Sequence, residues 1–254
     1  MRPLIGTNWK MNLTSTEADG WFQAFLPLVD RLDDRDLFVL PPFTAIWIAR
    51  ERLRDTPVGW GAQDVFPEDE GAHTGNISAP MLADLGCRYV MVGHAERRRD
   101  HGETPELIST KAAAALRWGM RPIVCLGEHL RSAPDETMRF LVEDLAGCLS
   151  AVDPADLPRV VIAYEPHWAM GEGAVAAPPE EVGMIHRALA AWLAERPGGA
   201  AVPIIYGGSV DLPAAARMLS EPGVGGLFVG RYALDPVNFA RIAGAGAVRQ
   251  GAIL

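Results

Sequence analysis

Eight short apolar runs, rich in β-branched residues, recur from one end of the sequence to the other, each closing on a polar or glycine cluster. They cover residues 4–6, 37–40, 58–61, 89–92, 122–126, 160–164, 204–206 and 226–229. Runs that stay apolar at consecutive positions suit parallel strands buried on both faces. Between them lie segments of helical character at 16–32, 44–54, 80–85, 105–118, 135–149, 180–195, 212–219 and 236–243. Several open on proline or a capping residue, as helix N-termini do. Eight alternations without a break in composition predict an α/β fold, a single (β/α)₈ barrel domain spanning residues 1–254. A doubly wound open sheet has the same alternation, and counting runs does not decide closure.

Composition narrows the partners. At 49% hydrophobic and 22% charged, the chain has material for a sizeable core. A net charge of −9 with no lysine- or arginine-rich block speaks against nucleic acid and anionic membranes. A small anionic substrate still fits, because backbone amides and single lysines capture such ligands locally. Cys87, Cys125 and Cys148 are too few and too scattered for a disulfide framework or a zinc site, so no metal or cofactor is expected. Neither a signal-like apolar stretch at the start nor a run of about 20 apolar residues is present, which makes a reducing cytoplasm the expected location.

In a parallel barrel the chemistry gathers where the strands end, so the residues just after each run are the candidates. They are Asn8 and Lys10 after the first, His94 and Glu96 after the fourth, and Glu165 after the sixth. Gly207-Gly208-Ser209 follows the seventh and Gly230-Arg231 the eighth. Singly, each has a plain structural reading: a lysine as solvated charge, a histidine as buried donor, glycines as turns. Gathered on one rim they make chemical sense. Moving a carbonyl along a carbon chain needs a base beside a weakly acidic C–H, and a partly desolvated carboxylate suits it. The resulting enediolate needs hydrogen-bond donors at its oxygens, which His94, Asn8 and Lys10 can supply. Glycine-rich turns offer bare backbone N–H groups to a phosphate.

Over nearly its full length the sequence resembles the triosephosphate isomerase family. The resemblance is carried by Asn8-Trp9-Lys10-Met11-Asn12, Gly93-His94-Ala95-Glu96-Arg97-Arg98, Tyr206-Gly207-Gly208-Ser209-Val210 and Ala163-Tyr164-Glu165-Pro166-His167-Trp168-Ala169-Met170-Gly171. Pro41-Pro42-Phe43 and Cys125-Leu126-Gly127-Glu128 match as well. That family is itself a known case of a glutamate base paired with a neutral histidine. The resemblance implies Glu165 as base, His94 as electrophile, Lys10 and Asn8 on the substrate, and Glu96 in support. Gly171, Ser209, Gly230 and Arg231 would supply phosphate-binding amides. It further implies a mobile lid over 166–176 that excludes water, and a homodimer formed through loop 62–78, with Thr74 inserted into the partner.

Several positions depart from the family pattern. Ala95 replaces a usual serine and His167 a usual valine, and Glu172 and Ala174 replace a lid threonine and lysine. Asp64 and Asn76 alter the dimer loop, and the loss of a carboxylate at 76 is expected to deprive Arg97 of a partner. After the eighth run, the family's Gly-Gly-Ala-Ser reads Gly230-Arg231-Tyr232-Ala233. If Arg231 kept a positive φ it would be strained by roughly 1–2 kcal/mol, so either the turn is reshaped or φ there is negative. The stretch Leu227-Phe228-Val229-Gly230-Arg231 is similar to a branch acting on four-carbon ketose phosphates such as erythrulose phosphate. Two substrates therefore stay open, the triose phosphates and a tetrulose phosphate. A third reading is a non-catalytic barrel that binds sugar phosphates.

Overall fold

A computed structural model describes residues 2–171 and 176–246. The expected lid loop falls partly outside this range: Glu172, Gly173 and Ala174 lie outside the described residues. Eight parallel strands close on themselves in sequence order: β1 (Leu4–Asn8), β2 (Asp36–Leu40), β3 (Gly59–Ala62), β4 (Tyr89–Val92), β5 (Arg121–Leu126), β6 (Val161–Tyr164), β7 (Ile204–Tyr206) and β8 (Gly226–Val229). Closure is decided at β1, which pairs with β2 through Leu4↔Asp36 to Asn8↔Leu40 and with β8 through Leu4↔Gly226 to Thr7↔Val229. The open-sheet alternative is thereby excluded.

Each strand faces two apolar layers, which is why its sequence does not alternate. Inward-pointing Leu4, Phe38, Leu40, Tyr89, Met91, Ile123, Cys125, Val161, Ala163, Ile205 and Phe228 fill the barrel itself. A larger layer, including Ile5, Val39, Val90, Val92, Val124 and Ile162, packs outward against the helices. Gly6 shows how the inner layer is fitted: a Cβ there would fall 1.9 Å from the Phe38 ring. Phe38 in turn stacks on Tyr89 at 4.7 Å and leans on Phe228 at 5.6 Å, so aromatic rings plug the barrel beneath its upper rim.

Around the barrel run α1 (Ser15–Val29), α2 (Ile46–Leu53), α3 (Ala79–Asp84), α4 (Ala95–His101), α5 (Pro105–Arg117), α6 (Pro134–Cys148), α7 (Pro179–Ala194), α8 (Leu212–Ser220) and α9 (Pro236–Ala243). Their starts are written in the sequence. Thr14 and Glu17 form a capping box on α1, and Thr104, Asp211 and Asp235 cap α5, α8 and α9. Helix α4 is the exception, since its stretch AERRRDH has no buried residue and no apolar face to read. It forms because His94 caps it, Glu96 sits in its first turn, and Arg98, Arg99 and His101 sit in its last, each sign matched to the helix dipole. Gly102, at φ 66°, ends it. Among the described residues, no helix is long and apolar enough to cross a membrane.

The excursion after β3 folds back on itself through Phe66 N–H donating to Ile77 O at 2.8 Å, leaving Thr74, Gly75 and Asn76 exposed at its tip. At its base Asp64 meets both Lys111 Nζ at 2.7 Å and Arg97 Nη2 at 2.8 Å, and Glu103 joins the same two cations. Arg97 therefore does not lack a partner, contrary to expectation. Its partners are Asp64, at the base of the same excursion, and Glu103.

Candidate active site

The rim at the strand ends opens into a cleft of about 530 Å³, lined by Asn8, Lys10, His94, Glu165, Gly171, Ser209, Gly230 and Arg231, and floored by Phe228. All the sequence candidates except Glu96 line it, and Glu96 reaches it through Lys10. Its Oε1 lies 2.7 Å from the Lys10 Nζ.

Glu165 follows β6 directly, with its N–H donating to Leu126 O at 2.8 Å. Two glycines make room for it. A Cβ on Gly127 would fall 1.9 Å from Glu165 O, and one on Gly207 would fall 2.7 Å from its Cγ and 2.8 Å from Oε1. The carboxyl is buried, and among the described residues its Oε2 has no hydrogen-bond partner. Burial raises its pKa above the usual glutamate value of 4.5, with His94, Lys10 and Cys125 pulling the other way. Such a carboxylate is a stronger base than a solvated one.

His94 faces it, with Nε2 standing 3.7 Å from Glu165 Oε2. The other ring nitrogen settles the tautomer. Nδ1 accepts the Glu96 N–H at 3.2 Å at the start of α4, so it carries a lone pair, and the ring proton is on Nε2, pointing into the cleft. A short helix invisible to apolar periodicity thus orients the donor.

Lys10 is bent into place. At φ 54° it is one of two non-glycine residues with positive φ among those described, the other being Leu13 at 68°. Such a conformation costs roughly 1–2 kcal/mol and persists only when its surroundings impose it. Here Asn8 Oδ1 accepts the Lys10 N–H at 2.8 Å, and Gln63 Nε2 donates to Lys10 O at 3.0 Å. Half-burial works to raise the Glu96 pKa, but the hydrogen bond from Lys10, together with the charges of His94, Lys10 and Arg99, holds the carboxyl below its usual value.

The far side of the cleft is built from the loops after β6, β7 and β8. A Cβ on Gly208 would meet the Tyr206 hydroxyl at 2.1 Å, so this glycine also serves packing. The Ser209 amide donates to Ala169 O at 2.9 Å, so this N–H, expected to face a phosphate, is instead engaged by the loop after β6. Arg231 opens a short 3₁₀ turn, Arg231–Leu234, and is absent from the positive-φ positions, so the turn keeps its glycine only at 230.

Sequence reasoning passed over three residues that hold the rim. Gln63 was readable, standing just past the third run. Glu128 Oε1 accepts from both Tyr164 OH at 3.0 Å and Trp168 Nε1 at 2.7 Å, and the Ala177 N–H donates to Tyr206 OH at 3.2 Å. These bonds fix the described ends of the loop after β6. His167, where a valine is usual, pairs its Nδ1 with that of His129 at 2.8 Å, and burial lowers its pKa to about 4. Among the described residues, no three His, Cys, Asp or Glu side chains converge as metal ligands.

A buried base sharing a cleft with an imidazole N–H donor, in the mouth of a parallel barrel, suits proton transfer between neighbouring carbons. The class so defined is a barrel isomerase. Comparison with known proteins names the group within that class. A family model described as triosephosphate isomerase matches residues 3–246. The triosephosphate isomerase of Thermus thermophilus is 45% identical over 250 residues, covering 96% of this chain and 99% of its own. That of Chloroflexus aurantiacus is 42% identical over 244 residues, covering 94% and 97%. A crystal structure of triosephosphate isomerase from Bartonella henselae superposes with a TM-score of 0.84 at 30% identity, covering 96% of this chain and 98% of that one. The chain belongs to the triosephosphate isomerase family.

Proposed function

We propose that this protein interconverts glyceraldehyde 3-phosphate and dihydroxyacetone phosphate, with Glu165 as base. The observation that carries the reading is the 3.7 Å approach of Glu165 Oε2 to His94 Nε2 inside one cleft. Glu165 takes a proton from the hydroxyl-bearing carbon beside the carbonyl and delivers it to the former carbonyl carbon, while the hydroxyl proton passes to the former carbonyl oxygen by way of the His94 ring. Charge that develops on the two oxygens meets His94 Nε2–H, the Lys10 ammonium and the Asn8 amide. Asn8 Nδ2 has only the Met91 sulfur at 3.5 Å, a weak acceptor, and so stays free to serve a substrate oxygen. Gly171, Ser209, Gly230 and Arg231 receive the phosphate at the far side of the cleft.

The curated relatives, which carry the name triosephosphate isomerase over nearly the whole chain, favour the three-carbon substrate. A purely binding barrel has no use for a buried carboxylate facing a donor, since an unpaired buried acceptor is destabilising. Purified protein supplied with glyceraldehyde 3-phosphate, and separately with erythrulose phosphate, tests the reading. Turnover confined to the four-carbon substrate would reassign it, and turnover of neither would overturn it. The same reading makes the protein a homodimer joined through loop 62–78 and Thr74, and places it in the cytoplasm, where its three buried cysteines remain thiols.

A further inference from the structure

Arg231 stands apart among the charged groups around the cleft. Lys10 is matched by Glu96 at 2.7 Å, and Glu165 adds a negative charge of its own. The molecule as a whole carries −9. A dianion held by backbone N–H groups and Lys10 in that cleft would gain further from a cation whose charge is not already matched. Among the described residues lining the cleft, Arg231 is the cation with no carboxylate beside it.

Its side chain is also already engaged at the right place. Arg231 Nη2 donates to Gly171 O at 2.8 Å, reaching from the end of β8 to the loop after β6. A guanidinium has five N–H donors in a rigid fork, and one hydrogen bond to a carbonyl leaves the others for an anion. The residue is exposed to the cleft and free of backbone strain, so the packing of the barrel does not require an arginine there.

We propose that the Arg231 guanidinium binds the substrate's phosphate directly, gripping the anion and the Gly171 carbonyl with one side chain. This goes beyond a backbone amide at that position and rests on the reading of the cleft as a sugar-phosphate site. The grip couples anion binding to the position of the loop after β6, because one planar group holds both.

Inorganic phosphate, titrated calorimetrically and as a competitive inhibitor, is the probe. Arg231→Gln, which keeps a donor for Gly171 O and loses the charge, should weaken phosphate binding by about 10- to 100-fold, the worth of a charge-assisted hydrogen bond. Arg231→Lys, which keeps the charge and loses the fork, should recover a large part of that loss. For glyceraldehyde 3-phosphate, the rise in KM should exceed the fall in kcat. Unchanged phosphate affinity in the glutamine variant overturns the proposal, and so does a lysine variant as weak as the glutamine one. A wild-type protein that binds phosphate through Arg231 yet turns over no triose phosphate would support this assignment and sink the functional reading. Absence of phosphate binding in the wild type would overturn both.

Discussion

At Glu165 the barrel holds a carboxylate ionisable in a place that disfavours its charge. Gly127 and Gly207 clear the space, burial raises the pKa, and the Lys10 and His94 side chains keep it from rising further. Replacing the charge with a neutral amide of the same shape separates the two consequences. Glu165→Gln should lower kcat by at least about 10²-fold, the contribution of a positioned general base. The same variant should be more stable at neutral pH by about 1–3 kcal/mol, because the desolvation of a buried carboxylate charge is relieved. Paired measurements of turnover and thermal unfolding check this, and a variant that is both active and no more stable would contradict it. The raised pKa also fixes the acid side of the pH–rate profile. A base must be deprotonated to act, so kcat/KM should fall on acidification through a pKa above the usual 4.5. A limb at or below 4.5 would show that the burial is relieved in the working enzyme.

Elements carry the next level, and their legibility varied for physical reasons. The strands and most helices could be read because each buries an apolar face and, α2 and α4 apart, each helix starts at a polar cap or a proline. Helix α4 could not, since nothing in AERRRDH seeks a core. A histidine cap, matched end charges and the Arg98–Asp144 ion pair at 2.9 Å hold it instead. The site residues at strand ends were legible from the barrel rule, whereas Glu128 works through side-chain bonds to Tyr164 and Trp168 that no spacing reveals. The partners of Arg97 were likewise hidden, because Asp64, Glu103 and Lys111 come from different parts of the chain and meet it only in space. That cluster yields a prediction at its own scale. Lys111→Met leaves Asp64 and Glu103 buried beside each other without the ammonium they share, and burial together with Glu103 already raises the Asp64 pKa. The loss should be about 3 kcal/mol or more, as for a broken buried ion pair. Denaturant unfolding at pH 7 would measure it, and a loss under about 1 kcal/mol, the value of a surface pair, would show the cluster to be solvated.

For the whole molecule, acid stability and assembly are the properties that depend on everything at once. His186 is fully buried, its Nδ1 is 3.3 Å from Gly223 O, and burial lowers its pKa to about 4 from 6.5. Between those values the unfolded chain binds a proton that the folded one refuses, so stability is intact above pH 6.5 and declines as pH falls toward 4. The displacement corresponds to about 3 kcal/mol at most, and His186→Gln should flatten the decline between pH 6.5 and 4. Parallel curves for the two proteins would remove His186 as the cause. Assembly follows from what the first four βα units expose. Met11 is 97% exposed, Trp47 56%, Met81 55% and Phe43 40%, and the closed strand order sets these units side by side with the loop that ends in Thr74. Apolar side chains exposed on adjacent units would form the surface on which the proposed homodimer is built. This flank also carries Lys10 and Leu13 in strained backbone conformations, which need support from outside the segment. A second copy on the flank would cover the apolar groups and brace the Lys10 loop together. Thr74→Arg should therefore yield monomers in sedimentation and reduce kcat by roughly 10²-fold through misplacement of Lys10. A fully active monomer would separate the catalytic geometry from assembly and leave the strain at Lys10 to be borne by Asn8 and Gln63 alone.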